Sequence, residues 1–321
     1  MILPSLRHLV FLWLAAAFIL AGCGATAPSP SLVAPTRVVV VEASPTSAPT
    51  HTPTSSPSPT PTPSPTASPT PTITPTPTAT PGPTPDGNLR TARVPILMYH
   101  YSSQPPPDAG IYRQDLSVDP ETFAAHLDYL KAEGYTTIYL KDLLSHLATG
   151  APDLPAKPVL LTFDDGYEDI YLNAFPALAQ RGMTGTFFII TDFATQDRPG
   201  YADWPQLSEM AAAGMEIGSH SRDHPNLAGK DLDYLVWQAL GSKETIEAHT
   251  GAHPRILAYP AGSYDQLVID VFRSANYWGA VTTQQGVIQR SDKPFELKRV
   301  RIRNTTGVEQ LATLLQAPWE E

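Results

Sequence analysis

Proline is distributed so unevenly along the 321 residues that the chain divides into parts of different kinds. Eighteen of the 35 prolines lie between Pro28 and Pro85, where they alternate with threonine and serine. Such a segment has too little apolar surface to offset the entropy lost on folding, and its prolines favour the extended polyproline II conformation. The sequence therefore predicts a disordered spacer over residues 23–90 and a folded part over residues 91–321.

The first 22 residues have the pattern of an export signal. Arg7 and the terminal amine supply positive charge, and the uncharged apolar stretch from Leu9 to Leu20 is short for a membrane span. It ends in Leu20-Ala21-Gly22-Cys23, which resembles the lipobox of bacterial lipoproteins, where cleavage precedes a cysteine that becomes lipidated. Cys23 is the only cysteine, so lipidation would account for an unpaired thiol in an exported protein.

We therefore predict a signal peptide over residues 1–22 and a lipid anchor on Cys23 that holds the protein at the outer face of the bacterial cell membrane. The alternative is an ordinary signal peptide followed by an incidental cysteine. The anchor would make the membrane one partner of the chain.

The net charge of the chain indicates which kinds of polymer the folded part can bind. The net charge is −10, and the few charged residues of the spacer cancel one another, so the acidity belongs to the folded part. Because no basic stripe is present, we expect no binding to nucleic acid. A neutral polymer, or one that becomes cationic when deacetylated, suits this charge better.

Short apolar strands alternate with amphipathic helices along the folded part. The strongest strand is Pro158 to Phe163, and others are expected at 94–99, 136–140, 186–190, 215–218, 256–259 and 280–282. Helices are expected from Asp119-Pro120 to Gly134, over 205–213, and up to Gly251. The last of these has an apolar face made of Leu232, Leu235, Val236, Ala239, Leu240 and Ile246. This alternation predicts an α/β fold with a mainly parallel sheet, either a (β/α) barrel or a doubly wound sheet.

Polar residues follow several of these strands directly. They are Tyr99-His100, Asp164-Asp165, Ser219-His220 and Tyr259-Pro260. Both candidate architectures place their active sites at the carboxyl ends of the strands. We therefore expect these residues to converge on one site.

Two of these segments carry residues that bind metals. Neighbours on an extended chain point in opposite directions, so one carboxylate of Asp164-Asp165 could hold a metal while the other faces a substrate; a helix-capping turn is the alternative. His220 and His224 would share one face of a helical turn. Two imidazoles and one carboxylate leave open coordination positions, as catalytic metal sites do.

Non-haem iron oxygenases use the same ligand set. They usually take the first histidine and the acid from one short His-x-Asp segment on a double-stranded β fold. The strand–helix alternation of this chain argues against that class.

The motifs Thr162-Phe163-Asp164-Asp165-Gly166 and His220-Ser221-Arg222-Asp223-His224-Pro225 resemble those of polysaccharide deacetylases with a NodB homology domain, also called carbohydrate esterase family 4. The resemblance covers roughly residues 93–305. It implies a distorted (β/α) barrel, a divalent cation with zinc as the default, and removal of N-acetyl groups from an amino-sugar polysaccharide. It assigns Asp164 as general base, and Asp165, His220 and His224 as metal ligands.

The resemblance also places a backbone N–H that stabilises the oxyanion at Ala261, within Tyr259-Pro260-Ala261-Gly262. The chain departs from the family pattern here, because Ala258 stands where an arginine normally orients the base. We predict that Arg299 is the substitute.

A second departure concerns the general acid. The last histidine is His253, so the late Leu-His motif of the family is missing. A Tyr-His pair serves this role in the branch that deacetylates poly-β-1,6-N-acetylglucosamine, and the similar position here is His100. Closing a barrel would bring the first strand, which His100 follows, beside the last strand.

Two alternatives stay open at this point. The metal site could act on O-acetyl esters, or the chain could be a non-catalytic carbohydrate-binding protein on the same fold, as the missing arginine would allow. Trp204, Tyr264 and Trp278 are candidates for stacking on sugar rings, and His126 and His146 are expected at the surface.

Overall fold

The computed structural model describes residues 81–319. The predicted signal peptide, Cys23 and the spacer up to residue 80 lie outside the described residues. Seven parallel strands close into a barrel. In their order around it, they are β2 (Ile96–Tyr99), β4 (Pro158–Phe163), β5 (Thr186–Ile189), β6 (Glu216–Ser219), β7 (Ile256–Ala258), β8 (Gly279–Gln285) and β10 (Leu297–Arg301).

The pairing of β2 on both sides is what closes the barrel. Val300 of β10 lies beside Leu97, and Thr162 of β4 lies beside Met98, both in parallel register. The predicted (β/α) barrel is therefore confirmed and the doubly wound sheet excluded. Strand β3 (Thr136–Thr137) pairs with the start of β4, while β1 (Thr91–Arg93) and β9 (Ile288–Arg290) form a separate antiparallel ribbon.

Helices cover the outside of the barrel. They are α1 (Ile111–Asp115), α2 (Pro120–Ala132), α3 (Leu140–Thr149), α4 (Phe175–Arg181), α5 (Thr191–Thr195), α6 (Trp204–Ala212), α7 (Leu232–Thr250), α8 (Gln266–Ser274) and α9 (Val308–Gln316). A π-helical turn at Ile170–Ala174 precedes α4, and a 3-10 turn at Pro260–Gly262 follows β7. The predicted ends of α2 and α7 are confirmed: Asp119 caps the Thr122 N–H, and left-handed Gly251 ends α7.

The predicted strand over Thr136–Leu140 is wrong in its second half, because Leu140 begins α3. The carboxylate of Glu216, on β6, accepts hydrogen bonds from the backbone N–H groups of Leu140 at 2.9 Å and Lys141 at 3.2 Å. A side chain from a distant strand thus satisfies the first donors of the helix, which local sequence cannot reveal.

Two expectations about burial are also wrong. The apolar face of α7 is displaced, since Leu232, Val236 and Leu240 are exposed while Gln238 and Ser242 are buried with Leu235 and Ala239. His126 is fully buried rather than at the surface. Its Nε2 bonds the Thr306 carbonyl at 2.8 Å, and its Nδ1 lies 3.1 Å from the Tyr99 hydroxyl.

Stacked aromatic side chains fix the strand ends from below the site. The rings of Tyr99, Phe163 and Phe187 follow one another on β2, β4 and β5 at centroid distances of 5.4 and 4.6 Å. All three are buried, and burial of each such side chain contributes on the order of 1.5–3 kcal/mol. The residues that follow Tyr99 and Phe163 are therefore held in fixed positions.

Residues 81–90, which the sequence assigned to the spacer, contact the barrel. The backbone N–H of Asp86 donates to the Ala148 carbonyl at 3.0 Å, and Arg90 forms a salt bridge with Asp86 at 2.5 Å. The described residues contain no helix with the length and hydropathy needed to cross a membrane.

Candidate active site

A cleft of about 460 Å³ opens at the carboxyl ends of the barrel strands. It is lined by His100, Tyr101, Tyr112, Arg113, Leu116, Asp164, Asp165, Tyr167, His220, His224, Tyr259, Ala261, Thr283 and Arg301. The polar residues that follow β2, β4, β6 and β7 thus converge as predicted.

Three potential metal ligands meet in this cleft. Asp165 Oδ1 lies 3.2 Å from His220 Nε2 and 3.5 Å from His224 Nε2, and all three ligand atoms lie within 4.8 Å of one another. Asp165 and His220 are almost fully buried, while His224 is one-third exposed. The structure therefore brings together the predicted ligand set.

The hydrogen bonds of His220 indicate what this cluster is suited to hold. His220 Nδ1 donates to the Ala258 carbonyl at 2.7 Å, so in the neutral ring the Nε2 lone pair faces Asp165. Two acceptor atoms at 3.2 Å repel each other unless a proton or a cation lies between them. Although burial opposes the charged ring, the hydrogen bond to Asp165 raises the pKa of His220. Two nitrogens and one oxygen fit a divalent cation that keeps open positions.

Left-handed backbone conformations orient the segments that carry these ligands. Asp165, Ser221 and His224 have φ angles of 73, 63 and 60 degrees, which side-chain-bearing residues seldom adopt. The expectation that His220 and His224 share a helical turn is therefore wrong, because the segment is a loop. The left-handed Asp165 also turns its carboxylate into the same cleft as Asp164, so the two do not point in opposite directions.

A buried glutamine of α7 holds the loop between the two histidines. Gln238 Oε1 accepts from the Arg222 backbone N–H at 2.8 Å, and its Nε2 donates to Asp223 at 2.6 Å. The Asp223 carboxylate therefore bonds α7. Gln238 thus links the loop that carries His224 to α7.

Arg299 binds Asp164, whereas position 258, where the family has an arginine, is occupied by Ala258. The Nη1 and Nη2 atoms of Arg299 each donate to one carboxylate oxygen at 2.7 Å, and Nε donates to the Thr282 carbonyl at 2.8 Å. Both side chains are almost fully buried. Burial alone would raise the pKa of Asp164, but the Arg299 guanidinium outweighs it and lowers that pKa. Arg299 thus occupies the place predicted for the substitute of the missing arginine.

His100 faces Asp164 across the cleft. Its Nε2 lies 3.9 Å from Asp164 Oδ2, and its buried Nδ1 has no hydrogen-bond partner among the described residues. Burial lowers the pKa of His100 despite the nearby carboxylates, so the neutral ring predominates at pH 7. Pairing of β2 with β10 explains why His100 and Arg299 reach the same carboxylate.

The segment after β7 lines the cleft mainly with its backbone. Ala261 has a φ of 52 degrees and lines the cleft. The Tyr259 ring stacks on Tyr264 at 4.5 Å, and its hydroxyl donates to the Phe295 carbonyl at 3.1 Å. Pro260 is buried in the turn that presents Ala261.

The three proposed sugar-stacking residues lie outside this cleft. Trp204 packs flat on His249 at 4.4 Å, and Tyr264 packs on Tyr259. Trp278 lies at the amino end of β8, in a second cleft beside Gly82. Packing thus covers one ring face of Trp204 and one of Tyr264.

Sequence reasoning missed several residues that line the cleft, among them Tyr101, Tyr167, Arg301 and Thr283. A signal was available for some of them. Tyr101 and Tyr167 come just after the motifs that carry His100 and Asp165, and Arg301 is two residues beyond Arg299 at the end of β10. Arg113 and Tyr112, on α1, gave no such signal.

A cluster of potential metal ligands beside a buried carboxylate, at the carboxyl ends of a parallel barrel, is the arrangement expected of a metal-dependent hydrolase. Comparison with known proteins agrees. The sequence profile described as polysaccharide deacetylase matches residues 151–280. The Bacillus subtilis protein YxkH, which is named as a polysaccharide deacetylase, is 32% identical over 213 residues, or 66% of this chain and 72% of that protein.

The Staphylococcus epidermidis poly-β-1,6-N-acetyl-D-glucosamine N-deacetylase is 25% identical over 60% of this chain and 70% of that protein. Among solved structures, the Streptococcus pyogenes deacetylase PplD in complex with acetate superposes with a TM-score of 0.65 at 28% identity, over 71% of this chain and all of that one. The chain belongs to the polysaccharide deacetylase family.

Proposed function

We propose that this protein removes N-acetyl groups from a polysaccharide that contains N-acetylglucosamine. The observation that carries the proposal is the juxtaposition of two groups in one cleft. The cluster of Asp165, His220 and His224 lies next to Asp164, whose carboxylate is fixed by two hydrogen bonds from Arg299.

We infer that Asp165, His220 and His224 hold a zinc ion. When bound, such an ion polarises the amide carbonyl and lowers the pKa of a water molecule. The chemistry of the donors supports this inference, since two imidazole nitrogens and one carboxylate oxygen suit zinc at a hydrolytic site.

Asp164 acts as the general base in this scheme. It accepts a proton from the water that adds to the amide carbon, and Arg299 keeps both carboxylate oxygens in place. The lowered pKa of Asp164 keeps the carboxylate ionised at neutral pH, so the carboxylate holds the proton only in passing and gives it up to a neighbouring group. The Ala261 N–H is the donor assigned to the developing oxyanion.

His100 completes the reaction as general acid. Its ring is neutral at rest, and its Nε2 lies 3.9 Å from Asp164. It therefore serves as the carrier that takes up the proton removed from water and gives it to the leaving nitrogen. The carbon–nitrogen bond breaks, and acetate and a free amine are the products.

The choice of polymer rests on relatives. The Staphylococcus epidermidis relative is named for N-deacetylation of poly-β-1,6-N-acetyl-D-glucosamine. The negative charge of the chain, −10, also favours a product that carries amino groups over an anionic polymer.

We further propose that the protein is exported and held at the outer face of the bacterial membrane by lipid on Cys23. Labelling of cells with a radioactive fatty acid should mark the wild-type protein and leave Cys23→Ala unlabelled. Equal labelling of the two proteins would refute the anchor.

The deciding experiment measures acetate released from N-acetylglucosamine oligomers by the full chain, with zinc and after chelation. Asp164→Asn should lower kcat by about 10²–10⁴-fold, the usual contribution of a general base. Asp233→Asn, an exposed carboxylate on α7, is the matched control and should retain activity.

Other outcomes would redirect the proposal. Release only from O-acetylated xylan would support an esterase, and a folded chain that binds the oligomers without releasing acetate would support a binding protein. Activity that survives both chelation and Asp164→Asn would refute the mechanism.

A further inference from the structure

Helix α1 differs from the other helices in what it buries. None of its five residues is buried, whereas each of the other helices in the described part of the chain buries at least two. Helices in proteins gain most of their stability from packing an apolar face on a core. Because α1 packs no side chain into the core, other contacts must hold it in place.

Polar bonds fix it. Arg303 donates to the Asp115 carboxylate at 2.6 Å, and the Asn304 backbone N–H donates to the Asp115 carbonyl at 2.8 Å. Arg113 donates to Ser103 at 2.6 Å and lies over the Tyr101 ring at 3.7 Å. These contacts tie α1 to the loops after β2 and β10, so its outer face has a defined place beside the cleft.

The first two residues of α1 are apolar and exposed. Ile111 is 77% exposed and Tyr112 is 79% exposed, so two adjacent large side chains form one apolar patch. Tyr112 also lines the catalytic cleft. Among the described residues, no aromatic ring or cation packs on the Tyr112 ring.

Other tyrosines of the cleft have their ring faces covered. Tyr101 lies between Tyr167, stacked at 3.7 Å, and the guanidinium of Arg113, also at 3.7 Å. Tyr259 is stacked on Tyr264. Tyr112 therefore offers an open aromatic face at the edge of the cleft, which is suited to the apolar face of a sugar ring.

We propose that Ile111 and Tyr112 form a binding subsite for a sugar residue that neighbours the one held at Asp164 and Asp165. The subsite rests on the proposed function, because its occupant is the same polymer. Its continuity with the cleft favours a sugar chain over a membrane surface or a second copy of the protein. The protein would then prefer oligomers to single sugars.

The test separates binding from catalysis. Calorimetry measures the affinity of the full chain, carrying Asp164→Asn to prevent turnover, for β-linked N-acetylglucosamine monomer and tetramer. Adding Tyr112→Ala should weaken tetramer binding by about tenfold, as truncation of an aromatic contact residue commonly does, and leave monomer binding unchanged. Tyr112→Trp should restore it.

The matched control is Leu267→Ala, which removes an exposed apolar side chain, 42% exposed, from α8. It should leave both affinities unchanged. Equal tetramer affinity with and without Tyr112, or equal weakening of monomer and tetramer, would overturn the subsite. Absence of acetate release by the wild type would overturn the proposed function instead, and the binding measurement would still decide the subsite.

Discussion

The catalytic cleft has two halves that are built in different ways. The metal half carries the proposed metal ligands Asp165, His220 and His224, which come from two short motifs after β4 and β6. The base half carries the proposed base Asp164 with Arg299 and His100; these residues follow β4, lie on β10 and follow β2, as far as 199 positions apart in the chain. The first half depends on local backbone conformation, and the second depends on closure of the barrel.

The two halves should therefore respond differently to amino-acid substitutions. The ligand loop uses left-handed residues that few sequences tolerate, so the metal half should be sensitive to local substitutions. The base half buries a charge pair, so it should be sensitive to loss of either partner. The four predictions below test that contrast, from the largest expected effect to the smallest.

Loss of a metal ligand should have the largest effect. Asp165→Asn removes the charged ligand and should lower activity by several orders of magnitude together with the metal content of the purified protein. Metal content is measured by atomic absorption. Asp164→Asn is the matched control, and it should lose activity while keeping its metal; equal metal loss in both variants would show that the halves are not separable.

Loss of Arg299 should affect stability as well as activity. Arg299→Leu leaves the buried Asp164 carboxylate without its partner and should lower the free energy of unfolding by about 3–5 kcal/mol, measured in denaturant. The double variant Arg299→Leu/Asp164→Asn should lose less, because no unpaired charge remains. Additive losses from the two substitutions would contradict a coupled pair.

Substitution of Gln238 tests whether the conformation of the metal half depends only on its own short motifs. Gln238→Leu removes both hydrogen bonds to the loop at Arg222 and Asp223 and should weaken zinc binding by about 10–100-fold. Competition with a chelator gives the affinity. An unchanged affinity would mean that the loop keeps its conformation without support from α7.

The smallest effect should come from His126, which bonds Tyr99 beneath the base half. Burial lowers the pKa of His126, so the unfolded chain takes up the proton first as the pH falls below about 6.5. This contribution to stability is complete above that pH and should be lost towards the lower pKa of the folded protein, by at most about 1.4 kcal/mol per pH unit.

Denaturant unfolding between pH 7 and 5 measures this loss against His126→Gln, where the same slope should be shallower. An identical slope in the two proteins would show that another group is responsible.

Short-range patterns predicted the strand–helix alternation, the carboxyl-end location of the site and the candidate ligands Asp165, His220 and His224, whereas the choice of a barrel came from the resemblance to a family. Sequence reasoning failed where a distant residue changed a local outcome. Leu140 begins a helix because Glu216 caps it, and His126 is buried because Tyr99 and Thr306 satisfy both ring nitrogens. It also missed Tyr112, since nothing in its neighbourhood distinguishes an exposed tyrosine beside a cleft from one elsewhere.

The sequence by itself indicated which residues can bind a metal and which segments form most of the strands, since strand alternation and the Asp164-Asp165 and His220…His224 segments are local properties. Only the tertiary structure decided how Asp164 is held. Position 258 lacks the expected arginine, and Arg299 reaches the carboxylate because β10 pairs between β8 and β2, which puts the ends of β10 and β4 in one buried space. A charge buried in that space needs a partner within hydrogen-bonding distance, but that partner can come from any strand that reaches it.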